Sequence, residues 1–223
     1  MLPLLVSAGP SDGKNRTAVK APRPTTAPAR APLFLPSNRS VVASDSVQIV
    51  VAVSDASKAS AIMLDGEAIE TQRMQLAVSG VTRTKPGAKA TARPTMVLVA
   101  AATLAPGKHV AAVGARKTEF FVDTSEDRAK APADWPTFRP HPGEVANCAL
   151  CHDLKETRDG QSLGPVREPK ACFVCHDLDE FKLIHSHRVE SLAACRMCHI
   201  SHGGTTKAAL VGKIKPLCLE CHD

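Results

Sequence analysis

Cys148-Ala149-Leu150-Cys151-His152 is the word on which the reading of this chain turns. It recurs as Cys172-Phe173-Val174-Cys175-His176, Cys195-Arg196-Met197-Cys198-His199 and Cys218-Leu219-Glu220-Cys221-His222, and the four copies use all eight cysteines of the 223 residues. Around them bulky apolar side chains are few, while Gly, Pro and charged residues are frequent. Such a segment cannot stabilise itself on its own apolar surface. Whatever the four words bind must supply the missing core. A small, largely irregular domain over residues 141–223, with short helices at the words, is the expectation.

Cys-x-x-Cys-His is the attachment signal for c-type haem. Its two thiols bond to the porphyrin, and the next residue places its imidazole on the iron. Four words therefore call for four covalent haems, held at Cys148, Cys151, Cys172, Cys175, Cys195, Cys198, Cys218 and Cys221, with His152, His176, His199 and His222 as proximal ligands. Zinc is the first rival, because Cys148-x2-Cys151-x20-Cys172-x2-Cys175 comes close to a four-thiolate ribbon. A ribbon has no need of a histidine after each second cysteine. With nine histidines in 223 residues, four such coincidences arise roughly three times in a million. A four-disulfide module of an exported chain is the second rival and leaves the same histidines unexplained.

Outside the words stand His109, His141, His185, His187 and His202, and four of these five lie in the haem segment, one available for each iron. Methionine is a poor alternative: Met63, Met74 and Met96 sit in a separate apolar region, Met1 is terminal, and Met197 is locked inside a word. Distal ligation by His141, His185, His187 and His202 fills both axial positions of every iron. It leaves none open to a substrate and lacks the methionine that raises potential.

The segment is also an internal duplication. Cys148 to Cys195 is 47 residues and Cys172 to Cys218 is 46; His141 precedes the first word by seven residues and His187 the third by eight. With these residues the chain resembles the multihaem cytochromes built on a doubled Cys-x-x-Cys-His motif. The second half fits their pattern at Cys198-His199-Ile200-Ser201-His202-Gly203. The first half departs from it, with Lys155 in the place of His202 and Phe138 in that of His185. One histidine of the second half is thus available to an iron of the first. The resemblance covers residues 138–223 and implies haem attachment and electron transfer, without naming a partner.

Residues 33–123 have another character. Val47-x-Ile49-x-Val51-x-Val53 puts four branched side chains on one face of a strand. Asp65-Gly66, between Ala61–Leu64 and Glu67–Glu70, is a hairpin signal. Further strands are expected at Met74–Val78, Thr95–Ala101, His109–Val113 and Glu119–Val122, which together suit a small antiparallel all-β sandwich. Architecturally this stretch resembles an immunoglobulin-like or fibronectin-like domain, without the buried Trp or inter-sheet disulfide of antibody domains. His109, in a chain with no Tyr, is a candidate for the corner that a tyrosine ties down in many sandwiches. No nucleophile motif, paired carboxylates or phosphate loop occurs here, so the domain reads as a docking or spacer module.

Residues 1–32 open on an apolar stretch too short to span a membrane, in which Val6-Ser7-Ala8 resembles a signal-peptide cleavage site. The stretch is expected to be the remnant of a longer signal. A Pro/Ala-rich basic linker follows. Residues 124–140 form a second expected linker, whose Trp135 and Phe138 are placed to pack against porphyrin. The net charge of +6 divides into +7 over residues 1–140 and −1 over residues 141–223. Haem propionates would make the second part more acidic. With no basic–aromatic interleaving, nucleic-acid binding is set aside.

Together these features predict an exported, periplasmic or extracellular tetrahaem electron carrier rather than an enzyme, with no transmembrane segment in this chain. Its expected partners are redox proteins or extracellular acceptors. A protomer of an extracellular cytochrome filament is the alternative, and a multihaem reductase a second one that the histidine count disfavours.

Overall fold

The computed structural model describes residues 33–54, 61–77, 96–125, 128–141, 147–158, 160–177 and 195–219. In chain order the strands are β1 (Phe34–Leu35), β2 (Ser40–Val42), β3 (Ser46–Val53), β4 (Ile62–Leu64), β5 (Glu67–Ile69), β6 (Gln72–Leu76), β7 (Met96–Thr103), β8 (Gly107–Val113), β9 (Arg116–Val122), β10 (Thr137–Pro140), β11 (His152–Thr157), β12 (Gly160–Val166) and β13 (Gly203–Gly204). They make two sheets, ordered β1-β3-β7-β6-β12-β11 and β13-β10-β2-β9-β8-β4-β5. The only α-helix among the described residues is α1 (Ile214–Cys218), which ends on the first cysteine of the fourth word. Short 3-10 turns lie at Cys148–Leu150, Cys172–Val174 and Cys195–Met197.

One core lies between the sheets. Strand alternation in β3 turns Val47, Ile49, Val51 and Val53 to the same side, where they join Leu98 and Ala100 of β7. The other sheet contributes Val42, Ile62, Ala111, Phe120 and Val122 to the same cluster. Burying each of the larger side chains favours folding by about 1.5–3 kcal/mol. Arg116 joins the sheets at one end, its Nη1 donating to the Ala52 carbonyl at 2.6 Å and its Nη2 to that of Leu33 at 3.2 Å.

The Asp65-Gly66 hairpin forms between β4 and β5, with φ of +52° and +93°, the positive pair that a tight two-residue connection requires. Asp65 then does a second job. Its Oδ2 sits 2.7 Å from Nδ1 of His109, and its Oδ1 accepts from the Val110 N–H at 2.8 Å. The other ring nitrogen of His109 donates to the carbonyl of Ala105, four residues upstream, at 2.8 Å. His109 thus takes the corner position, with its ring 5.8 Å from that of Phe120.

Three features differ from the expected pattern. The sheets are mixed rather than purely antiparallel, since β2 pairs in parallel with β9 and β10, and β6 with β12. The stretch expected as a second linker contains β10. Phe138 on that strand enters the core, and Trp135 is buried with the Arg39 guanidinium 5.9 Å from its ring centre. Both aromatics therefore anchor this stretch to the β-region, and Phe138 also lines a cavity beside His141 and His202. Finally, strands from the Cys-rich segment continue both sheets, β12 and β11 beyond β6 and β13 beyond β10. The two regions share hydrogen-bond ladders.

Candidate haem site

The attachment words are turns. Each of the first three begins as a single 3-10 turn closed by the second cysteine's N–H on the carbonyl of the first: Cys151 on Cys148, Cys175 on Cys172 and Cys198 on Cys195. In the first, Asn147 caps the turn by accepting from the Ala149 N–H at 3.0 Å. Two consecutive residues hold the words together. Arg167 donates to the Ala149 carbonyl at 2.9 Å and faces Asp153 at 3.3 Å, so it grips the first word. Glu168 accepts from the Arg196 N–H at 2.8 Å and from Arg196 Nε at 2.7 Å, gripping the third. No sequence motif marks Arg167 or Glu168 for this role; only the tertiary contact shows it.

The histidines come together in pairs. His152, of the first word, faces His202, with ring centres 6.1 Å apart and planes within 11° of parallel. His176, of the second word, faces His141 at 6.0 Å and 7°. With about 2 Å from metal to imidazole nitrogen and about 1.15 Å from that atom to the ring centre, two imidazoles on opposite sides of one metal have centres roughly 6.3 Å apart. Both pairs match that separation.

The backbone sets which nitrogen each ring offers. Nδ1 of His152 lies 2.6 Å from the Gly164 carbonyl, that of His141 3.0 Å from Ser201, and that of His199 2.8 Å from Ala208. A carbonyl oxygen only accepts, so Nδ1 carries the proton in each ring. Nε2 keeps its lone pair, the form a metal binds. His202 is pushed down to about 4, first by burial and then by the facing His152, His141 and Arg196, which keeps it neutral at physiological pH.

Gly203 makes the pairing sterically possible. At φ +93° it lies so close to β10 that a Cβ there would stand 2.3 Å from the Arg139 carbonyl oxygen and 2.8 Å from Pro140 Cα. That approach, with β13 paired on β10, sets His202 beside the strand that leads into His141.

Two adjoining cavities border the histidines, of about 310 and 200 Å³, both walled by Gln48, Val50, His141 and His202. Together they reach the range of about 300–1,000 Å³ usual for small-molecule sites. Cys148, Cys151 and His152 line the smaller one. Large apolar side chains are exposed at Leu150, Val174, Met197, Ile214 and Leu219, and four of these five lie inside the attachment words. Apolar surface exposed in this way belongs against an apolar ligand. The donor set, the ring spacing and the exposed residues all fit haem.

Among the described residues no group of three or more His, Cys, Asp or Glu is arranged to hold a bare metal ion, and the described cysteines are free thiols. Burial, followed by the neighbouring Cys195, Glu168 and Cys151, pushes the Cys172 thiol up to about 11. His185, His187, Cys221 and His222 lie outside the described residues. Cys218 ends α1, and its side chain is exposed.

No helix among the described residues is long and apolar enough to cross a membrane. No curated protein and no solved structure matches the chain. A family model, that of the doubled CXXCH motif, matches residues 187–223. That stretch therefore carries the signature of a c-type cytochrome, which implies covalently bound c-type haem and points to electron transfer.

Proposed function

We propose that the protein is an exported tetrahaem c-type cytochrome that relays electrons, each iron held between two histidines. The observation that carries this reading is the pair of near-parallel imidazole couples, 6.1 Å apart at His152–His202 and 6.0 Å at His141–His176. His202, from the second half of the duplication, serves the iron attached at Cys148 and Cys151. His141 serves the one attached at Cys172 and Cys175. His185 and His187 are left for the third and fourth words.

Bound haem supplies a reversible Fe(III)/Fe(II) couple. This chain's residues fix what that couple does. Carbonyls of Ser201, Gly164 and Ala208 hold the imidazoles in one tautomer and orientation, so the ligands need little rearrangement when charge changes. Two imidazoles per iron leave no site for a substrate, which favours a carrier over a reductase. Redox proteins or extracellular acceptors are the corresponding partners.

The test is EPR of the oxidised full-length protein, with haem quantified per chain. Four haems, all low-spin, are expected. A high-spin component in the wild type would mean that one of the four distal histidines is not a ligand. Zinc in place of haem would end the account.

A further inference from the structure

The face of the six-stranded sheet turned away from the core is apolar too, and nothing in the core explains it. While Val47, Ile49, Val51 and Val53 of β3 join the core, Val50 and Ala52 alternate with them and stand opposite Val99 and Val97 of β7, Val50 touching the edge of the main core as well. On β7, Leu98 and Ala100 join the core, and Val97 and Val99 lie on the opposite side, 6% and 8% exposed. A sheet that covers one domain core and faces water on its other side shows polar residues there. This one shows valine and alanine beside Gln48 and Gln72.

What meets that face is the first attachment word. Val97, Val99, Met74 and Leu163 form a second cluster on which Val50, Leu154 and Cys148 pack. The cavity of about 200 Å³ has Val50, Ala52, Val97 and Val99 on one side and Cys148, Cys151, His152 and His202 on the other. The position of β12 and β11 at the edge of this same sheet brings the word there. β12 pairs in parallel with β6 through Gln161, Ser162 and Leu163, and β11, the other arm of the hairpin, begins at His152. Burial pushes the Cys148 thiol up, as an apolar wall should, and a thioether made from it would carry no charge to desolvate.

We propose that the outer face of this sheet, at Val50, Ala52, Val97 and Val99, is the porphyrin-binding wall for the haem attached at Cys148 and Cys151. The inference rests on the haem reading above and adds to it. The β-region is then part of the first haem site, shielding one haem from water, and not a detachable spacer. Burial of that haem on an apolar wall would set its potential apart from those of the others.

The experiment uses the full-length holoprotein, reduced so that it is diamagnetic and labelled at valine methyls. A porphyrin ring current displaces the resonances of methyl groups stacked on its face. Methyls of Val50, Val97 and Val99 are expected well outside the usual methyl range, while inward-facing Val47 and Val51 are displaced less. In the double variant Cys148→Ser/Cys151→Ser the three outer valines should return to ordinary positions as the haem count falls by one per chain. Peptide mass analysis of the wild type separates the two ways of failing. Ordinary shifts at Val50, Val97 and Val99 with haem present on the Cys148–Cys151 peptide would overturn the wall and leave the cytochrome reading standing. A haem-free Cys148–Cys151 peptide would overturn both.

Discussion

Gly203 is the single residue on which the crossing of histidines between the two halves depends. A side chain at φ +93° costs about 1–2 kcal/mol from backbone sterics alone. The nearest obstacle is a carbonyl oxygen of β10, 2.3 Å from the Cβ position, and backbone cannot rotate away as a flexible side chain can. Gly203→Ala must therefore push β13 off β10, and with it His202 away from His152. The expected result is a protein that still carries its covalent haem, since no cysteine is touched, with about one haem per chain turned high-spin by loss of a distal ligand. EPR combined with haem quantification reads both. An unchanged low-spin spectrum would show that His202 does not need this strand contact. The neighbouring Gly204, whose nearest obstacle is the flexible end of Ile200 at 3.4 Å, should tolerate alanine far better.

At the scale of elements, the β4–β5 hairpin and β8 are fastened by one carboxylate. Burial alone would raise Asp65, but hydrogen bonds from His109 and the Val110 N–H, with the nearby imidazole charge, outweigh it and hold the carboxyl below its ordinary value. A carboxylate whose folded pKa lies below its unfolded one adds stability above the unfolded value of about 3.9, and that contribution is lost as pH falls through the folded value. Asp65→Asn should therefore lower Tm at neutral pH. The gap from wild type should close as the pH falls through the folded value, below which both carry a neutral group. A gap independent of pH would mean that Asp65 acts through shape and not charge.

The longer elements were open to sequence reading for simple reasons. The period-two pattern in Val47–Val53 and the Asp65-Gly66 turn are local, and β3, β4, β5, β7, β8 and β9 follow from such signals. The two- to four-residue strands β1, β2, β10 and β13 carry too little pattern, and exist because a neighbour pairs with them. Two signals were present and pass unnoticed beside louder ones. Asp159-Gly160 has the hairpin form in sequence, and Gly160 opens β12 opposite Thr157 of β11, yet the dipeptide falls within a segment whose cysteines dominate the reading. The nearly unbroken apolar run Ile49-Val50-Val51-Ala52-Val53 is that of a strand covered on both faces, although its alternate members alone suffice for one core. Cysteine and histidine positions were legible; the pairing of His141 with His176 and His152 with His202 was not, because it depends on β10 and β13 meeting across more than sixty residues of chain.

For the molecule as a whole, burial is distributed unequally. Among the described residues the main core draws its buried residues from Leu35 to Phe138, whereas beyond residue 147 the buried hydrophobics are Leu163 and Ala171. The first region holds a core of its own, and the second depends on what its cysteines bind. Replacing all eight cysteines by serine should separate the two in hydrogen exchange. Amides of β3, β7 and β9 are expected to remain protected, with Ile49, Leu98 and Phe120 among the slowest, because their ladders and core are intact. Amides at 167–177 and 195–219 should exchange quickly, since their turns bury no large apolar side chain. β12 is the informative intermediate: its pairing with β6 and the burial of Leu163 argue for partial protection, while loss of haem removes the cover on the second cluster. Protection throughout residues 195–219 would show that the Cys-rich segment folds unaided and that haem only decorates it. Loss of protection across β3 and β7 as well would mean that the sheet, apolar on both faces, needs a porphyrin on its outer side to stay folded.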